Sequence, residues 1–255
     1  MDLNVCFTES PQMFGHVHII LMVMAAVLNV VFFLLVRRRR DDVLIKILFV
    51  LGVFMVAAEL FKQWFCFRYM FGGTISLVYF PWQLCSIAMY LSVLVFFTKG
   101  RIREGMLVYL CTFSLFGAVM ALIVPKNMLL DEIVFTVHSF IYHALIISES
   151  VIALILLKRR SKPSFAPALV MFGITAAAAE VINVAAKFIV NDPVREPNMF
   201  YISPFYPTTQ TILSDIASRF GILVEVCIYL VSIVLISYLI FVIEKAVLFR
   251  KQTAG

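Results

Sequence analysis

Apolar residues run almost unbroken through seven stretches of the chain, at about residues 14–36, 43–66, 79–97, 104–124, 132–157, 165–190 and 215–243. Each is close to the roughly 20 residues a helix needs to cross hydrocarbon, where the backbone must satisfy its own hydrogen bonds. The pattern predicts an all-α protein, a single transmembrane domain over 1–255 built as a polytopic bundle of seven helices. The first stretch is too long for a secretory leader, follows acidic rather than basic residues and lacks a small-residue cleavage pattern, so it is expected to stay as a helix.

Composition agrees with lipid as the solvent: 63% of residues are hydrophobic and 14% charged, against about 25% charged in a soluble domain. Almost nothing is left over for a soluble domain. The net charge of +6 first suggests a nucleic-acid partner, but the basic residues are spread over alternate loops. Arg37, Arg38, Arg39 and Arg40 follow the first stretch; Lys99, Arg101 and Arg103 the third; Lys158, Arg159, Arg160 and Lys162 the fifth; Lys245, Arg250 and Lys251 the seventh. Opposite loops carry Arg68, Lys126 and Arg195. By the positive-inside rule the N-terminus lies outside and the C-terminus in the cytoplasm, in a bacterial cell membrane or a eukaryotic endomembrane. Basic character is therefore topology, and no nucleic acid is implied.

Ionisable residues inside a membrane are costly and tend to face a bundle interior or a wet cavity. Glu59, Lys62 and Gln63 share one helix face, as do Glu180, Asn183 and Lys187. The seventh stretch opens with Asp215 and Arg219 and places Glu225 about two turns deep. Gln83 and Cys85 head the third; His138, His143 and Glu149 lie in the fifth. These positions predict a polar layer in the outer half, around a cavity that opens outward, with apolar packing in the inner half. Glu59 with Lys62, and Glu180 with Lys187, equally suit simple neutralising pairs. A metal site is not expected: His16 and His18 stand about 200° apart on a helix, and no H-E-x-x-H spacing occurs. Among the cysteines, Cys6 and Cys66 both fall near the outer face, where a disulfide is compatible with an oxidising compartment. Cys111 and Cys227 read as inert thiols in apolar helix.

The most chemically suggestive pair is Cys85 with a histidine. Pro81 suits the first turn of a helix, placing Cys85 just over one turn in, where the backbone dipole favours a thiolate and an imidazole can act as base. His143 enters from the same side. His138 is the rival; it shares a face with Tyr142 and Glu149, whereas His143 shares its face with Ser139.

The segments Pro81-Trp82-Gln83-Leu84-Cys85-Ser86 and Ser139-Phe140-Ile141-Tyr142-His143-Ala144, then Asn183, then Asn198-Met199-Phe200-Tyr201 with Pro204, resemble the YwaF family of bacterial membrane proteins. That family is similar to the eukaryotic transmembrane protein one-six-four, a lipid acyltransferase with a Cys/His pair. The resemblance implies that Cys85 accepts the acyl group and that His143, rather than His138, is its base. Gln83 stands where many relatives have a histidine, and no tyrosine follows Asn198 directly; both departures bear on substrate preference.

One long connection remains, 191–214, containing Pro193, Pro197, Pro204 and Pro207 with Phe200, Tyr201, Phe205 and Tyr206. It reads either as an aromatic belt at headgroup level or as an outer lid over the cavity. The expectation that joins these parts is a membrane-embedded transacylase exchanging acyl groups between phospholipid and lysophospholipid. Lys62, Lys187 and Arg219 would hold headgroup phosphate. Such an exchange requires no cofactor, and the chain has no nucleotide-binding glycine motif. From a different class, a non-catalytic carrier or receptor would bind a small or lipidic ligand through Glu59, Lys62, Glu180, Lys187 and Glu225; the absence of an inverted repeat weighs against a carrier.

Overall fold

The computed structural model describes residues 5–159, 163–189, 197–206, 208 and 210–248. Pro193, Arg195, Pro207, Arg160, Lys162, Arg250 and Lys251 lie outside the described residues. The elements run α1 (His16–Val36), α2 (Asp41–Phe65) with a π-helical continuation (Cys66–Met70), α3 (Ile87–Phe97), α4 (Gly100–Tyr109), a π-helical turn (Leu110–Ser114), α5 (Leu115–Ile123), α6 (Ile133–Lys158), α7 (Ala166–Ile189), a 3-10 turn (Met199–Tyr201), α8 (Thr211–Phe220) and α9 (Ile222–Leu248). Six helical stretches are long and apolar enough to cross a membrane: α1, α2 with its continuation, α4 through α5, α6, α7 and α9. They match six of the seven stretches to within a few residues at most ends.

The expected third crossing, 79–97, is helical only from Ile87. At 1.5 Å per residue its 11 residues rise about 16 Å, roughly half of a hydrocarbon core of about 30 Å. Residues 79–86 approach it as irregular backbone. Lipid would not tolerate such a stretch, but protein can satisfy it: Trp82 Nε1 donates to the Thr175 carbonyl at 3.1 Å, and Tyr90 Oη donates to that of Pro81 at 3.0 Å. Pro81 therefore does not open a helix, and Cys85 stands just ahead of α3 rather than a turn inside it. Gly52 lets α2 and α3 approach closely; a Cβ there would lie 2.9 Å from the Val93 backbone nitrogen.

The expected seventh crossing, 215–243, also begins differently. Asp215 and Arg219 belong to α8, a separate amphipathic helix; Gly221 breaks it from α9 at φ 89, a region that glycine occupies without a Cβ clash. The spanning helix is α9.

Most enclosed is α6, against which α1, α2, α4 and α5 pack. The π turn at Leu110–Ser114 disturbs the regular ladder where α6 crosses it, and Ser150 Oγ of α6 donates to the Leu110 carbonyl at 2.8 Å. At one end of the bundle Arg159 Nη1 reaches Asp41 Oδ1 and the Arg39 carbonyl, both at 2.7 Å, tying the end of α6 to the α1–α2 link. The half of the bundle away from Lys62 is not purely apolar, in contrast to the sequence expectation. Cys111 Sγ donates to Glu244 Oε2 at 3.3 Å, and Ser148 Oγ donates to Asn29 Oδ1 at 2.9 Å.

Candidate functional site

Glu59 is the anchor of the polar layer. It is buried, and its Oε1 accepts from Lys62 Nζ at 2.7 Å and from Gln63 Nε2 at 2.8 Å. Gln63 also donates to the Tyr79 carbonyl at 2.6 Å, which fixes the C-terminal end of α2 to the irregular segment. The i, i+3, i+4 spacing makes this cluster local to one helix. Lys62 lies close enough to act electrostatically on Cys85, His138 and His143 alike.

The two histidines of α6 are held in opposite tautomers. A carbonyl oxygen can only accept, so His143 Nδ1 carries the proton it donates to Ser139 at 2.7 Å, and Nε2 keeps its lone pair. Nε2 has no protein partner among the described residues. His138 donates from Nε2 to the Ala58 carbonyl at 3.0 Å, leaving Nδ1 as the lone-pair nitrogen; its ring stacks on Tyr142 with centroids 5.8 Å apart. Cys85, enclosed by the bundle yet retaining accessible surface, makes no side-chain hydrogen bond to His143; its sulfur lies against the backbone amides of Cys85 and Ser86. Tyr142, between the histidines on α6, is within electrostatic reach of Cys85, Glu59 and Glu149. Its hydroxyl has no partner among the described residues.

Gln83, Asn183 and Asn198 form a second group with one task. Gln83 Nε2 donates to the Asn198 carbonyl, and its Oε1 accepts from the Phe200 amide, both at 2.9 Å. Asn183 Oδ1 accepts from the Met199 amide at 2.6 Å, and its Nδ2 donates to the Met199 carbonyl at 3.1 Å. Asn198 Oδ1 accepts from the Ser203 amide at 2.9 Å, and its Nδ2 donates to the Tyr206 carbonyl at 3.1 Å. Three carboxamides thus hold a short loop whose Met199, Phe200 and Ile202 are buried in the core. An aromatic belt at headgroup level does not describe these residues; they plug the bundle, with Phe200 at φ 57.

The remaining predicted residues are dispersed. Lys187 does not neutralise Glu180: its Nζ meets Tyr206 Oη at 3.1 Å and sits over the Phe205 and Tyr206 rings. Glu180 Oε2 is unpartnered and faces a 320 Å³ crevice between α7 and α9. Glu225 and Glu149 are fully buried, with no hydrogen bond to any of their four oxygens; Ser92 is the polar neighbour of Glu149. Arg219 is exposed on α8. His18 is occupied structurally, accepting from the Phe14 amide at 2.9 Å and donating to the Leu122 carbonyl at 2.8 Å. Cys6 and Cys66 are both free thiols, and Cys227 is exposed.

A second cavity, of 390 Å³, lies between α2 and α6 and is lined by Phe54, Ala57, Ala58, Phe61, His138, Ile141, Tyr142 and Leu145. Cys85 and His143 line neither of these two spaces. Tyr142 and the Met199–Ile202 plug were missing from the sequence-based set of site residues. The face that Tyr142 shares with His138 was the available signal for the first, and the Asn198-Met199-Phe200-Tyr201 motif for the second.

An all-helical chain with six membrane-length helices and a polar layer buried among them is a multi-pass integral membrane protein. A family model described as the TMEM164 family matches residues 13–244, and the chain belongs to that family. No curated protein and no solved structure matches it.

Proposed function

We propose that this protein is a membrane-embedded transacylase in which Cys85 is the nucleophile and His143 its base. The observation that carries this reading is the tautomer of His143, whose Nδ1 proton is committed to the Ser139 carbonyl so that Nε2 keeps its lone pair as a ready acceptor. Catalytic hydrogen bonds are often unmade before substrate arrives. In the reaction His143 Nε2 takes the Cys85 proton and the thiolate attacks the ester carbonyl of a phospholipid. The lysolipid alkoxide leaves with the proton returned from the imidazolium, and the acyl group remains as a thioester. A second hydroxyl then attacks the thioester; its proton passes to Nε2 and on to the departing thiolate, restoring the starting state. No net redox change occurs, and the exchange draws on no cofactor.

Seven crossings, N-terminus outside, accompany this reading. Basic residues at the start of both α2 and α4 require the chain to return between them, and α3 with the protein-satisfied segment 79–86 supplies the length. Lys62 is the cation available to a headgroup phosphate in the layer, while Lys187 and Arg219 serve nearer the surface. The plug over 198–206 acts as the outer lid.

Incubation of the reconstituted protein with radiolabelled phospholipid should yield a hydroxylamine-sensitive acyl adduct that Cys85→Ala lacks. An adduct of parental size on Cys85→Ala would refute the thioester scheme. Retained lipid binding in that variant, without any acyl exchange by the parent, would instead favour a carrier or receptor centred on the unpaired Glu149 and Glu225.

A further inference from the structure

Four phenols from four elements stand within electrostatic reach of the Cys85 thiol: Tyr109 of α4, Tyr142 of α6, Tyr201 of the plug and Tyr229 of α9. Hydrogen bonds and a ring contact place the last two beside the same segment. Gln83, two residues before the thiol, holds the Asn198 carbonyl and the Phe200 amide, which brings Tyr201 to it; the Tyr229 ring meets that of Tyr201 edge-on, with centroids 6.4 Å apart. The hydroxyls differ in what they have left to give. Thr175 Oγ1 spends its proton on carbonyls of its own helix, so the fully buried Tyr109 donates to it at 3.5 Å. The Tyr142 hydroxyl is sealed by its neighbours. Tyr201 Oη accepts from Asn127 Nδ2 at 3.0 Å and so keeps its own proton free to donate. Tyr229 is half-buried, and its hydroxyl is neither hydrogen-bonded to a described residue nor sealed. The backbone adds a separate observation. Phe200 and Tyr201 both lie at φ 57, a region that bulky residues occupy only where the surroundings impose it, and such positions cluster at active sites. The strain falls on the residue that carries the phenol, and the carboxamides of Gln83, Asn183 and Asn198 hold it there.

We infer that Tyr201 and Tyr229 form the oxyanion hole of the acyl transfer. The inference rests on the transacylase reading and supplies a donor to the ester carbonyl oxygen, which Cys85 and His143 do not provide. As the Cys85 sulfur bonds to the carbonyl carbon, the π electrons of the carbonyl move to its oxygen, which becomes an alkoxide. The two phenols stabilise it through hydrogen bonds and keep their protons. Collapse restores the carbonyl and breaks the ester C–O bond; the departing glycerol oxygen takes the proton that the His143 imidazolium carries. When the second hydroxyl attacks the thioester, the same carbonyl oxygen charges again and meets the same donors. Donors fixed in advance, at a site the bundle shields from water, act more strongly on this developing charge than they would in solution. The three carboxamides thereby gain a chemical purpose, since the loop they fix is the one that presents Tyr201 to Tyr229.

Tyr229→Phe keeps the ring and removes only the donor. In reconstituted protein supplied with radiolabelled phospholipid, formation of the hydroxylamine-sensitive adduct should slow about 10²–10³-fold, the worth of one oxyanion donor. The loss should fall on kcat and leave KM for phospholipid unchanged, as it does for a contact made only in the transition state. Alkylation of Cys85 by iodoacetamide, followed at that residue by mass spectrometry, should keep its parental rate and pH profile, because the thiol and His143 are untouched. Tyr201→Phe should show the same division. It also loses the hydrogen bond from Asn127, so amide exchange at Phe200 and Ser203 is measured alongside: slowed chemistry with parental exchange is expected, and slowed chemistry that comes only with quickened exchange would reassign Tyr201 to holding the plug. Tyr109→Phe, whose hydroxyl is committed to Thr175, should stay near the parental rate. Parental adduct formation by Tyr229→Phe, a change in KM alone, or a loss of equal size in Tyr109→Phe overturns the oxyanion hole and leaves the thioester scheme standing. A parent that forms no adduct sinks the transacylase and this assignment with it.

Discussion

Replacing Asn183 with leucine should release the 198–203 loop while leaving the helical bundle in place. Leucine keeps the branching and the number of side-chain heavy atoms of asparagine. What disappears is the pair of hydrogen bonds, at 2.6 and 3.1 Å, from the carboxamide to the Met199 amide and carbonyl. Met199 is fully buried and Asn183 is 1% exposed, so both backbone groups would be stranded out of reach of water. Each stranded group costs about 1–3 kcal/mol. Partial hydration of the opened loop keeps the combined effect near the lower end, about 2–3 kcal/mol. Local opening free energy is what amide exchange measures; at 1.4 kcal/mol per tenfold, exchange in the loop should quicken about 30- to 150-fold. The Phe200 and Ser203 amides are the best reporters, because their own acceptors, Gln83 and Asn198, are untouched. Hydrogen exchange followed by mass spectrometry, with the centre of α6 as internal reference, reads the effect. Unchanged exchange at Phe200 and Ser203 would show that burial of Met199, Phe200 and Ile202 suffices to hold the plug, and that the carboxamides are dispensable.

Two further substitutions probe the polar layer and the helix contact behind it. Lys62→Met leaves Glu59 buried without its cation and should cost about 3–5 kcal/mol, whereas Lys62→Met with Glu59→Gln should recover most of that; thermal denaturation of both in the same detergent decides, and equal midpoints would refute the pairing. Gly52→Ala puts a Cβ 2.9 Å from the Val93 nitrogen and 3.0 Å from the Met89 carbonyl oxygen; backbone must move, at about 1–3 kcal/mol. A melting temperature equal to the parent's would show that α2 and α3 are looser than the structure has them.

Apolar runs made six of the helices legible, because hydrocarbon imposes length and hydropathy together. The third stretch was apolar for the same reason, yet its first half is not helix. Hydropathy registers where a segment resides and is silent about its backbone, and the groups that stabilise 79–86 come from afar: Thr175 for Trp82, Asn198 and Phe200 for Gln83. The seventh was misjudged at one end because an amphipathic helix and a spanning helix meet at Gly221, and a hydropathy window averages across the junction. Within the site, Glu59 with Lys62 was readable from spacing on one helix. Asn183 was not, since its partner is a backbone 16 residues away, and spacing cannot separate a carboxamide that meets a lysine from one that meets a loop.

Hydrogen-bond saturation sorts the polar residues more sharply than their location does. Gln83 and Asn183 each use both donor and acceptor on the backbone of one loop, and His18 is spent at both nitrogens. Groups so employed are held in place by the frame they support. On α6 the opposite holds for His143 Nε2, His138 Nδ1 and the Tyr142 hydroxyl, which remain without a hydrogen-bond partner among the described residues although the bundle encloses them. A fold that satisfies a loop with three carboxamides has the means to satisfy three more atoms. That it leaves these unpaired, on adjoining turns of α6, is the physical reason to place the chemistry there and to assign the motif's glutamine and asparagines to the frame that surrounds it.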